Sequence, residues 1–193
     1  MKKIAIILAS FIFLTAFTTV PTLWKNDPAH SQISFTSKHL GISDVSGVFN
    51  DFDVKVHSSK DDFSDAVFEL DVKVSSIDTR VEARNKHLKS ADFFDVEKYP
   101  SMYFKSTGIE KSAENIYRIT GDLTLHGITR PVTMKLEYRG TIENPMDKKQ
   151  TAGFQVTGVI KRSDFNLGSG FPAPMISDEI HVKADGEFVI ETK

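Results

Sequence analysis

"GDLTLHGITRPVTMKLEYRG", Gly121–Gly140, poses the fold question for this chain. It reads as a strand, a short turn and a second strand. Leu123 and Leu125 fall on one face of the first strand. Val132, Met134, Leu136 and Tyr138 fall on one face of the second, with Thr133, Lys135 and Glu137 opposite. Side chains alternate across a strand, so each segment has one apolar and one polar face. The turn formers His126–Pro131 separate them, and Pro131 can open a strand but not sit centrally in one. The apolar face either packs a solid core or lines a cavity.

The same alternation recurs along the chain. Ile33 and Phe35 show it, then Phe52, Val54 and Val56, then Phe68, Leu70, Val72 and Val74. Met102 and Phe104 follow, then Tyr117 and Ile119, Phe154 and Val156, Ile180 and Val182, and Phe188 and Ile190. Turn-rich stretches at Asp44–Gly47, Ser58–Asp62, Lys111–Asn115 and Glu143–Gln150 separate these runs. Many half-buried antiparallel strands predict a sandwich or a barrel, and only closure removes both edges. An eight-stranded barrel lies at a size boundary: side chains fill it, or it holds one ligand. Gly121, Gly153, Gly158 and Ala184 punctuate the apolar sets, marking either bends or places where another molecule comes close. Periodicity alone favours the filled core.

One segment departs from period two. "SSIDTRVEARNKHLKSADFFDVEKYP" has helical spacing from Thr79 to Leu88, with Asp78 or Thr79 as the expected cap and Glu82 in the first turn. "SADFFD" offers a second cap at Asp92 and two Phe residues. Such an insertion can cover one end of a barrel or pack outside a sheet.

The chain has 193 residues, a formal net charge of -2 and no cysteine. Its length suggests one domain. Its charge gives no basic footprint for nucleic acid. The missing cysteines exclude disulfides, Cys-ligated metal and a Cys nucleophile. Lys2 and Lys3, then apolar Ile4–Leu14, then small and polar residues make residues 1–20 a secretory signal peptide, cleaved between Ala16 and Leu23. The apolar run is shorter than the roughly 20 residues of a spanning helix. Residues 21–193 are expected to form the single mature domain.

Candidates for chemistry are sparse. The six His residues are dispersed, with no metal-binding spacing, so no metal is expected. There is no nucleophile elbow and no phosphate-binding glycine loop. Gly168–Met175, "GSGFPAPM", reads as a flexible loop at a barrel mouth. Arg80, Arg84 and His87 share a helical face by spacing, which suits either an anionic or polar head group or plain solvent. Arg162 and Asp164 are spaced to pair at a strand end.

The stretches "W…DPAHSQISFTSKHLGISDVSGVF", "SSIDTRVEARNKHLKSADFFDVEKYPSMYFKS", "GDLTLHGITRPVTM" and "IKRSDFNLG", in that order, resemble the YceI family from Trp24 to about Ile190. The family pattern H-x-G-x-S-x-V-x-G-x-F matches His39, Gly41, Ser43, Val45, Gly47 and Phe49. R-D-x-H-L appears as Arg84, Asn85, Lys86, His87 and Leu88, with Asn85 in place of the common Asp. Arg162, Ser163 and Asp164 match R-S-D. The resemblance implies an all-β, extended, eight-stranded antiparallel lipocalin-like barrel, with the helical insertion near residues 79–90. It implies an exported, periplasmic binding protein without cofactor or established catalysis. Its partner would be an isoprenoid or fatty-chain lipid: a polyisoprenoid, an isoprenoid quinone, or a fatty acid or amide.

On that basis the inner face lines a cavity. The residues chosen for the apolar chain are Phe35, Phe49, Phe68, Leu70, Phe93, Phe94, Phe104, Leu123, Leu125 and Phe154. Those chosen for the head group are His39, Arg84, His87 and Arg162. The alternatives are an enzyme acting on such a lipid and a solid-core interaction module. Whether two barrels pair as a homodimer stays open.

Overall fold

A computed structural model describes residues 20–191; the expected signal peptide, residues 1–20, lies outside them except for Val20. Ten strands form in chain order: β1 Thr22–His39, β2 Ser43–Phe49, β3 Phe52–Ser58, β4 Val67–Lys73, β5 Ile77–Asp78, β6 Ser101–Ala113, β7 Ile116–Leu125, β8 Ile128–Glu143, β9 Gln150–Lys161 and β10 Ile176–Ile190. Among the described residues one α-helix, α1, spans Glu82–Lys89. Eight strands close a barrel in the order β1-β3-β4-β6-β7-β8-β9-β10, with β10 returning to pair with β1. Every pairing is antiparallel.

The 18-residue β1 holds the seam. Its first residues pair with β3, from Thr22↔Ser58 to Lys25↔Lys55. Its later half pairs instead with β2, from Ile33↔Phe49 to His39↔Ser43. Between these halves β1 bulges: the register on β10 moves from Asn26↔Phe188 to Ser31↔Gly186. Where β1 leaves β3, the Asn26 side chain continues the ladder, its Oδ1 accepting the Val54 N–H at 2.7 Å. On the outside of the bulge, exposed His30 meets Asp27 at 2.9 Å and Glu187 at 3.9 Å.

The inward sets follow the period-two reading. Tyr117, Ile119, Gly121, Leu123 and Leu125 of β7 are all buried. They divide between two apolar clusters. At one end Trp24, Val56, Phe68, Tyr117, Leu136, Phe154 and Phe188 pack a solid plug. The turn after β3 supplies its centre. Phe63 folds back into the barrel end, 2% exposed, with its ring 4.8 Å from Phe154, 5.0 Å from Tyr138 and 5.4 Å from Trp24. Tyr117 Oη donates to the Asp62 carbonyl at 2.6 Å and holds that turn in place. Phe63 lies among turn formers and has no strand period, so the sequence does not mark the plug as the work of a loop.

The other cluster joins Phe49, Val72, Ile77, Leu123 and Leu125 to Phe93 and Phe94, which lie beyond α1. The insertion therefore covers the end opposite the plug, with the Phe94 ring 6.0 Å from that of Phe49. The expected caps differ. The N-cap of α1 is Val81, with no side-chain cap bond. Asp78 instead accepts the Arg80 N–H at 2.8 Å and the Asn85 amide at 2.9 Å. Asp92 does not cap a second helix; it pairs with His87 at 3.1 Å.

Replacing Phe63 with Ala removes the ring that fills the plug. A buried Phe→Ala change of this kind costs about 3–5 kcal/mol. Equilibrium denaturant unfolding should show a lowered midpoint of that size, with the slope unchanged.

Candidate functional site

Between the plug and the covered end the barrel encloses a cavity of about 390 Å³. This lies within the usual range of small-molecule sites, about 300–1,000 Å³. It answers the question raised by Gly121–Gly140 with a division. Leu123, Leu125 and Met134 line the cavity, whereas Leu136 and Tyr138 belong to the plug.

Gly121, one of the small residues that punctuate the apolar sets, and Gly47 do not leave room for a ligand. A Cβ on Gly121 would sit 2.5 Å from the Phe104 ring and 2.4 Å from the Lys105 carbonyl oxygen. A Cβ on Gly47 would sit 2.5 Å from the Phe35 ring. The protein's own aromatics occupy both hollows. Removing a side chain on one strand lets a ring on its neighbour lie flat against the wall, and that ring then faces the cavity.

All ten residues chosen for the apolar chain line this one cavity: Phe35, Phe49, Phe68, Leu70, Phe93, Phe94, Phe104, Leu123, Leu125 and Phe154. Phe68 and Phe154 also belong to the plug, so they form the cavity floor. Period two applied further would have added Met102, Met134 and Ile160, which also line it. Thr79 and Leu167 line it too, and no sequence period marks either one.

The four head-group candidates fare differently. His39 and Arg84 line the cavity. His87 does not: its imidazole meets Asp92 and lies edge-on to Phe93 and Phe171, at 5.0 and 5.2 Å. Arg84 and Leu88, one turn apart, form the wall face of α1, and His87 is rotated off it. Arg80 precedes the helix in the left-handed region, with φ 66°, so it does not extend that face.

Arg162 lines the cavity, but it is 6% exposed and its guanidinium is saturated. Nε donates to the Ser177 carbonyl at 3.0 Å, and Nη1 to those of Leu167 and Gly168 at 2.8 and 2.7 Å. Nη2 donates to the carbonyls of Phe171 and Ile176. A guanidinium has five N–H donors, and five backbone carbonyls take them. Arg162 therefore holds the Gly168–Met175 loop rather than a head group. The expected Arg162–Asp164 pair does not form: Ser163 binds Asp178 instead, by its N–H at 3.0 Å and its hydroxyl at 2.9 Å.

Arg84 is positioned by a network around Asn85. The Asn85 side-chain oxygen accepts the Thr79 N–H at 2.8 Å and the Thr79 hydroxyl at 2.6 Å. Arg84 Nε then donates to the Thr79 hydroxyl oxygen at 2.8 Å, and Nη2 donates to the Thr79 carbonyl at 2.7 Å. Asn85 uses its acceptor on Thr79 and its donor on Asp78, so an amide suits the position. The Arg80 N–H, with help from the Asn85 amide, holds the Asp78 carboxyl below the usual carboxylate range.

A YceI-like domain model matches residues 24–188. The chain belongs to the YceI family. A UPF0312 protein of Staphylococcus aureus strain USA300 is 38% identical over 168 residues, covering 85% of this chain and 95% of the relative. Among solved structures, Burkholderia cenocepacia BcnA is 27% identical with a TM-score of 0.73, covering 84% of this chain and 98% of BcnA. A YceI protein of Campylobacter jejuni is 31% identical with a TM-score of 0.73, covering 80% and 90%. A polyisoprenoid-binding domain from Saccharophagus degradans, 15% identical with a TM-score of 0.66, shares the fold over 89% of this chain and 99% of that domain.

The position where this YceI chain has Asn rather than Asp gives a test. In Asn85→Asp the new carboxylate loses the donor to Asp78 and faces a second carboxylate. The depressed Asp78 pKa contributes stability above the unfolded carboxyl value and loses it as pH falls through the folded value. The variant should therefore melt lower than the parent at pH 7. The gap should narrow as pH falls below ~4, where the lowered Asp78 carboxyl protonates. Thermal melts of both proteins across that range check the sign.

Proposed function

We propose that this protein is an exported carrier or reservoir for an amphiphile with a long apolar chain, which lies in the barrel between the Phe63 plug and the insertion. The observation that carries this reading is the cavity: a closed barrel leaves about 390 Å³ unfilled and lines it with the rings of Phe35, Phe49, Phe68, Phe93, Phe94, Phe104 and Phe154. A solid-core module would have no such space. Lys2, Lys3 and the apolar run Ile4–Leu14 support export to the periplasm. The description of the Saccharophagus degradans domain as polyisoprenoid-binding makes an isoprenoid one chain to test beside fatty chains.

Burial gives a length rule. Each methylene taken from water gains about 0.8 kcal/mol. Association costs roughly 4–15 kcal/mol before any contact is credited. Short chains therefore bind weakly. Affinity should rise about fourfold per added methylene until the cavity is full.

Native mass spectrometry of protein purified from a periplasm tests the proposal. The expected result is a stoichiometric extra mass that is lost on organic extraction and identified as an acyl or isoprenoid chain. Bare protein that also fails to take up added quinones and fatty acids would overturn it. Leu123→Asp places a charge in the cavity wall and should weaken chain binding roughly tenfold or more. Unchanged binding by a folded variant would place the chain elsewhere.

A further inference from the structure

We propose that the cavity selects an amphiphile with an oxyanion head, a carboxylate or a phosphate, and that Arg84 is the residue that selects it. This rests on the chain-binding reading above. Among the described residues, four Lys and Arg side chains line the cavity: Lys38, Arg84, Arg162 and Lys183. Three of them are engaged. Lys38 Nζ lies 3.0 Å from Asp44, Lys183 Nζ lies 3.3 Å from Asp185, and Arg162 has given all five donors to backbone carbonyls.

Arg84 has no carboxylate within ion-pair distance among the described residues, and its two hydrogen bonds both go to Thr79. Three of its five N–H donors are therefore left over. It is half-buried, which raises the cost of a cation without a counter-charge. Its orientation is already set, because Thr79 is 3% exposed and is itself held by Asn85. The remainder of the wall is mainly apolar, so the chain gives affinity without regard to its head. A fixed guanidinium adds what the rings cannot: a preference for charge. Charged hydrogen bonds are about twice as strong as neutral ones, and a planar fork fits the paired oxygens of carboxylate and phosphate. A neutral amide, alcohol or quinone carbonyl offers oxygen without the charge.

The test measures binding of hexadecanoate, hexadecyl phosphate and hexadecan-1-ol by equilibrium dialysis with the mature protein. The three share a chain and differ in head. The two anions are expected to bind roughly tenfold or more tighter than the alcohol. Arg84→Gln should weaken binding of the two anions much more than that of the alcohol, and so remove that ratio. Arg84→Lys keeps the charge without the fork and should retain part of the ratio, which also covers the case in which the Gln variant fails to fold. Equal binding of all three by the parent protein would overturn the proposal while leaving chain binding intact. An equal loss of acid and alcohol binding in a folded Arg84→Gln would make Arg84 structural and also overturn it. Inorganic phosphate that displaces hexadecyl phosphate at comparable concentration would assign the site to a free anion instead. Binding of none of the three would overturn this proposal, and failure of an added polyprenyl quinone as well would overturn the chain-binding reading.

Discussion

One strand must serve three neighbours, and the cavity follows from that constraint. Backbone N–H and C=O groups left unpaired at a sheet edge invite foreign strands, so an all-β chain either closes or protects its edges. β1 closes this barrel against β10 along nearly its whole length, yet changes partner midway from β3 to β2. The change needs slack, which the bulge after Asn26 supplies, and a substitute ladder bond, which the Asn26 side chain supplies. Below the bulge the wall is continuous and the interior fills. Above it the wall continues through β2 and the two-residue β5, whose pairing with β2 is confined to Val48↔Asp78 and Phe49↔Ile77. The insertion carrying α1, Phe93 and Phe94 covers this stretch.

Periodicity made the strands legible and left the cavity to the family resemblance, for a physical reason. Period two reports which face a residue occupies, and that held from Phe52 to Ile190. It does not report how much volume the opposite wall contributes. Leu136 and Met134 are neighbours on the same face of β8, yet one packs the plug and the other faces open space. The difference comes from Phe63, which reaches the barrel axis from a turn. A turn residue carries no periodic mark of its depth. The glycines are ambiguous in the same way. Gly121 does mark a close approach, but the approaching group is Phe104, a cross-strand neighbour on β6 whose pairing partner is Leu123.

Polar roles were less legible than apolar ones. The spacing of Arg84 and His87 placed them together on an ideal helix, but the wall takes only a narrow stripe of α1. Sixty degrees of rotation separates a lining residue from one at the rim. The R-S-D segment looked like a local ion pair because Arg162 and Asp164 are two apart. The ten residues from Leu167 to Ile176 decide otherwise. They bring their carbonyls round Arg162, and no local pattern encodes a loop that folds onto a residue preceding it.

The two arginines show why residue type alone cannot name a binding group. Both residues line the same cavity, and both guanidiniums are fixed by oxygen acceptors. Arg162 is fixed by five carbonyls, so its donors are exhausted, and its charge is compensated by converging dipoles. Any anion brought to it would have to displace backbone bonds that hold the mouth loop. Arg84 is fixed by two bonds to a single residue, enough to set its plane but too few to satisfy it. Rigidity and unsatisfied capacity are opposed demands on one side chain, and the Thr79–Asn85 network meets both. Thr79 takes one edge of the fork, Asn85 keeps Thr79 in place, and Asp78 anchors Asn85 from the far side. An Asp at position 85 could accept from Thr79 equally well, but it could not donate to Asp78. It would also put a second anion close to Arg84 and so weaken the charge that the apolar wall leaves unanswered.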